Sequence, residues 1–105
     1  MKIYNAKIRS TNLGYTDREQ LTAYVNVDFE MGTQGFGGYN LSPEADPKSL
    51  GIFINSILGV TGVDTWEKLP GTYVRIKDEN NFIVAIGNII EDSWFEPRNE
   101  LYNGE

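Results

Sequence analysis

The 105-residue chain contains no cysteine and no histidine. Without thiols there is no disulfide, thiolate zinc site, iron–sulfur cluster or cysteine nucleophile. Without imidazole, serine–histidine triads, histidine acid–base chemistry and most zinc and iron sites are excluded. Only carboxylates, Lys, Tyr, Ser and Thr are left to do chemistry. The chain also lacks an apolar run of about 18 residues, so no membrane-spanning helix is expected. Its start, Met1-Lys2-Ile3-Tyr4-Asn5-Ala6-Lys7, has no apolar signal-peptide core, so export is not expected either.

Basic residues are scarce, with 9 Lys+Arg against 15 Asp+Glu and a net charge of −6. A nucleic-acid backbone calls for a basic surface, so nucleic acid is disfavoured as a partner. The charge is uneven. Lys2, Lys7 and Arg9 open the chain without an acid among them, while Glu91, Asp92, Glu96, Glu100 and Glu105 crowd its end against Arg98. The acidic end reads either as a solvated tail or as a segment that docks on a basic start. With 40% hydrophobic residues the composition is that of an ordinary globular domain. We assign residues 1–97 to one domain and 98–105 to an acidic C-terminal tail.

Period-two alternation places Tyr4, Ala6 and Ile8 on one face of a first strand, Lys2–Arg9. The polar stretch from Thr11 to Gln20 reads as a long hairpin loop. Leu21, Ala23, Val25, Val27 and Phe29 then alternate with polar residues, the pattern of a one-sided antiparallel strand. A third, irregular strand runs from Gln34 to Leu41. Asp46 and Pro47 suit the start of a helix whose stripe is Leu50, Phe53, Ile54, Ile57 and Leu58, with Gly59 or Gly62 as its stop. Asp64 and Glu67 have capping-box spacing ahead of a short helical turn closed by Pro70-Gly71. Thr72–Lys77 and Phe82–Ile90 make a final hairpin about Asp78-Glu79-Asn80-Asn81. The expected fold class is α+β: about five mainly antiparallel strands in the order β-β-β-α-β-β, covered by one main helix and a short turn.

Gln34-Gly35-Phe36-Gly37-Gly38-Tyr39 is the most unusual stretch. Its glycines admit positive φ or close approach, and Phe36 and Tyr39 could stack on a planar ligand. The same glycines also suit a bulged strand that makes room for a helix. The stretch is neither a phosphate-binding P-loop nor a dinucleotide fingerprint, because no Gly-Lys-Ser/Thr follows and the spacing fails. Arg75, with Tyr73 and Lys77 on one strand face, offers forked donors for a phosphate or carboxylate, or else a solvated face. The candidate ligand set is therefore Gln34, Gly35, Phe36, Gly37, Gly38, Tyr39 and Arg75. Ile52, off the helical stripe, together with Trp94 and Phe95, are candidate contacts to a second copy; the large area of Trp94 and Phe95 favours their role as packing anchors pinning the tail to the sheet. Asp28 and Glu30 lie roughly 7 Å apart on one strand face, but no cleft is evident around them. No catalytic residue, metal ligand or cofactor is assigned.

Leu13-Gly14, the glycine-rich stretch, Gly62-Val63-Asp64-Thr65-Trp66-Glu67-Lys68-Leu69-Pro70-Gly71, Tyr73-Val74-Arg75, Ala85-Ile86-Gly87-Asn88-Ile89-Ile90 and Trp94-Phe95-Glu96-Pro97 resemble a family of short proteins of tailed bacteriophages and prophages. The resemblance carries no activity and no site residues. In that phage context the expected role is an accessory, host-takeover or anti-defence protein acting by stoichiometric binding in the host bacterial cytoplasm, and the small size of the domain favours a homodimer or higher homo-oligomer. The expected partner is a small anionic, nucleotide-like signal or a host defence protein. A virion assembly protein and a carboxylate-dependent hydrolase are the alternatives.

Overall fold

The computed structural model describes residues 1–17, 21–37 and 47–97, with side chains described in the helix from Leu50 onward. It is an α+β fold: one six-stranded antiparallel sheet and one helix. The strands are β1 (Lys2–Tyr15), β2 (Leu21–Phe29), β3 (Gly32–Gly37), β4 (Tyr73–Glu79), β5 (Phe82–Asn88) and β6 (Trp94–Phe95). Helix α1 spans Pro47–Thr61, and a single 3-10 turn covers Trp66–Lys68. The sheet order is β3-β2-β1-β4-β5-β6.

Several elements differ from the sequence reading. β3 starts at Gly32, two residues before the expected Gln34, and β4 runs on to Glu79 because Asn80 and Asn81 alone make the turn. β1 continues to Tyr15, where a hairpin loop was expected from Thr11. The register shifts between Ile8 and Ser10, and that extra residue resets the alternation, so the second half of the strand no longer matches the first. β5 stops at Asn88, and the chain returns as the two-residue strand β6, giving six strands rather than five. The capping box does not form: Thr65 is the N-cap and makes no side-chain bond. Asp64 instead pairs with Lys68 at 2.9 Å. The proposed cap Asp46 lies outside the described residues, as does the 98–105 tail.

The helix ends as its sequence demands. Gly62 adopts a φ of 80°, and its N–H bonds to the Leu58 carbonyl at 2.9 Å. Phe53, Ile57 and Val60 are buried, and Leu50, Ile54 and Leu58 lie against the core.

The sheet is curled, so strands far apart in its order approach one another on its inner side. Phe36 of β3, Phe53 of α1 and Phe95 of β6 form a triangle of rings with centroids 5.9–6.1 Å apart. Gly37 makes the helix's part possible. Its φ is 108°, and a Cβ there would stand 2.4 Å from the Phe53 ring and 2.9 Å from the Ala23 carbonyl oxygen. Trp66 extends the cluster from the far side of Phe53, at 6.5 Å.

Gly37→Ala therefore meets both a strained backbone and a steric clash. The variant should lose about 2–4 kcal/mol in urea unfolding. A loss below about 0.5 kcal/mol, within the range of ordinary surface substitutions, would contradict the close approach.

Candidate functional site

The curl leaves one end of the sheet open, and three chain segments meet there. The start of β1 brings Met1, Lys2 and Tyr4. The β2–β3 hairpin brings Phe29, Met31, Thr33 and Gln34. The β4–β5 hairpin brings Asp78, Asn80 and Asn81. Together they line a cleft of about 610 Å³.

Each segment is held for a local reason. Lys2 and Asp78 face each other in the β1–β4 register, and Tyr4 faces Ile76. Tyr4 lies on the inner face and meets Phe29, with centroids 5.3 Å apart and planes tilted by 52°. Asn80 and Asn81 have φ of 53° and 69°, a pair of positive values that closes a two-residue hairpin turn. Asparagine tolerates that conformation better than most residues.

Gln34 clasps the two sides of the opening. Its Oε1 accepts the Ile83 N–H at 2.8 Å, and its Nε2 donates to the Asn81 carbonyl at 3.2 Å. Gln34 stands on β3 and its partners follow β4, so one amide side chain bridges strands separated by three others in the sheet.

The other sequence candidates do not join it. Phe36 is 1% exposed and its ring belongs to the core triangle, so it is not placed to stack on a ligand. Gly37 serves the approach of Phe53, and Gly35 sits beside the Asn26 side chain. Gly38 and Tyr39 lie outside the described residues. Arg75 is on the outer face of β4, away from Gln34. Its Nε donates to the Asn88 carbonyl and its Nη2 to the Glu91 carbonyl, each at 2.8 Å. Its forked edge thus holds the chain between β5 and β6, and its planar group lies 4.9 Å from the Trp94 ring centroid.

Trp94 is half-buried on that outer face. It rests on Gly87, where a Cβ would come within 2.5 Å of the indole, and Lys77 stands 4.4 Å from its centroid. Its Nε1 donates to Asp92 at 2.9 Å. Phe95, expected as an anchor of the tail or a contact to a second copy, is buried in this chain's own core, on a strand that pairs with β5. Ile52 is half-buried on α1.

Asp28 and Glu30, the carboxylates weighed from the sequence, do not line the cleft. Asp28 pairs with Arg9 at 3.2 Å and accepts a bond from the Thr33 hydroxyl. Among the described residues no cluster of three or more His, Cys, Asp or Glu side chains could hold a metal ion. The cleft does combine two aromatic rings, three side-chain amides, two hydroxyls, one side-chain cation and one carboxylate. Such a set can hold a planar, polar molecule by ring contact and amide pairing.

Lys2, Tyr4, Phe29, Asn80 and Asn81 were not singled out from the sequence as site residues. Comparison of the chain with known protein families, curated proteins and solved structures returns no match.

Replacing Gln34 by Met keeps its length and removes both bonds across the opening. The buried-side Ile83 N–H then loses its acceptor, and unfolding should cost about 1–3 kcal/mol less than in the parent. The Ile83 amide should also exchange with solvent faster while amides of α1 keep their protection. Unchanged exchange at Ile83 would show that the clasp does not form.

Proposed function

We propose that this protein is a non-enzymatic, stoichiometric binder of a small anionic molecule carrying a base-like ring, held in the cleft between the β2–β3 and β4–β5 hairpins. The observation that supports it is the cleft itself. About 610 Å³ falls within the usual ligand-site range of roughly 300–1,000 Å³. Tyr4 and Phe29 supply apolar ring surface. Asn80 and Asn81 supply amide donors and acceptors of the kind that read a base edge, while the Gln34 amide is engaged in the clasp. Lys2 supplies the single cation among the lining side chains, suited to one phosphate.

Nothing in this group activates a nucleophile, so the chemistry suits holding a molecule rather than transforming it. The resemblance to phage and prophage proteins makes a host signalling molecule the natural cargo. Sequestration would then act in the host bacterial cytoplasm, against a defence response.

The test is native mass spectrometry of the purified chain after mixing with the acid-soluble nucleotide pool of infected bacteria. A retained increment of one small molecule per chain is expected, released with its mass unchanged. Lys2→Gln and Asn81→Gly, the latter keeping the positive φ, should each lose the increment. No retained molecule in the parent chain, or retention unaffected by both changes, would overturn the reading. Capture of a host protein without a small molecule would favour direct blocking of a defence protein.

A further inference from the structure

β1 and β2 run on beyond the body of the sheet. β4 pairs with β1 only from Lys2 to Lys7, whereas β2 pairs with it as far as Tyr15 opposite Leu21. β3 in turn pairs with β2 only from Tyr24 onward. Among the described residues, 13–15 and 21–23 therefore form a two-stranded arm, an arrangement marginal by itself in water.

The direction of the free edge follows from the register. The Ile8 N–H and carbonyl both bond towards β4, to Thr72 and Gly71. Lys7 therefore turns its groups to Asp28 of β2. By alternation Asn26, Tyr24 and Thr22 also face β1, where their partners are Ser10, Asn12 and Gly14. Thr11, Leu13 and Tyr15 are left with N–H and carbonyl groups pointing away from β2, along an edge that no described strand covers.

The same stretch carries bare apolar surface. Leu13, Tyr15 and Leu21 are 49%, 75% and 44% exposed, on the face that the buried Ala23 and Val25 share. No Lys, Pro or bulge blunts the edge between Thr11 and Tyr15, although natural edges usually carry such a device.

We propose that this edge is the contact between two copies of the chain, paired antiparallel about a two-fold axis through Leu13. In that register Leu13 meets Leu13, and Thr11 meets Tyr15 of the second copy through the groups that face away from β2. The pairing is isologous and closed, so it forms a dimer and not a fibre. It joins two curled sheets edge to edge and converts each two-stranded arm into part of a four-stranded one. Ile52, Trp94 and Phe95 take no part.

Sedimentation equilibrium of the intact chain should give twice its 11.8 kDa mass. Leu13→Lys sets two ammonium groups face to face and should weaken association by roughly tenfold or more, with an unchanged circular dichroism spectrum. Leu13→Cys should form a disulfide-linked dimer under mild oxidation, since paired Cα atoms about 5.5 Å apart lie within bridging range. Phe82→Lys, at an exposed apolar residue on another strand, should leave the dimer intact. A monomer at high micromolar concentration would overturn the proposal. So would a dimer that neither responds to Leu13→Lys nor cross-links through Leu13→Cys.

Discussion

Phe36, Phe53 and Phe95 come from the first strand of the sheet, the helix and the last strand of the sheet. Their mutual contact is the constraint on which the rest of the structure depends. A twisted sheet of six strands with one apolar face has two ways to bury it: a second layer, or its own curvature. One helix is too narrow to cover six strands. The sheet therefore bends until its end strands meet the same helix from both sides. Edge-to-face and tilted ring contacts tolerate that convergence because they do not require parallel planes.

Curvature also separates the molecule into two chemically distinct faces. Inside, the residues are apolar until the open end, where Gln34 spans the gap and the cleft begins. Outside, cations lie on aromatic rings: Arg75 and Lys77 at Trp94, and Lys7 at 5.6 Å from the Tyr73 centroid. Asn88 ties the two faces together. Its Nδ2 donates to the Val60 carbonyl at the end of the helix, while its Oδ1 accepts from the N–H groups of Ile90 and Glu91. That amide and the Arg75 bonds to the Asn88 and Glu91 carbonyls together set the short turn into β6, and with it Phe95.

Much of this was legible from residue patterns. The alternation of Leu21–Phe29 marks β2, the Leu50–Leu58 stripe marks the inward side of α1, and Gly62 marks its end. These signals are local, and local periodicity survives into the structure. What the sequence hid is non-local. The bulge after Ile8 breaks a period-two pattern that continues in another phase, so the arm looked like a loop. β6 is too short to show a period at all. The glycine-rich strand admits two meanings from its residues, and Gly37 has a use that only the position of Phe53 reveals. The cleft combines residues 1–4, 29–34 and 78–81, which no spacing rule would group. Asn80-Asn81 alone carried a local signal, and that signal was for a turn.

The account stands on the coupling of the two end strands through their rings, and a double-mutant cycle measures it. Phe36→Leu, Phe95→Leu and the double variant are compared by urea unfolding, each leaving an apolar side chain in place. A curled sheet closed by these rings predicts an interaction of about 0.5–1.5 kcal/mol between the two positions. Additivity within about 0.3 kcal/mol would mean that the rings on β3 and β6 do not meet, and the curled sheet would be wrong.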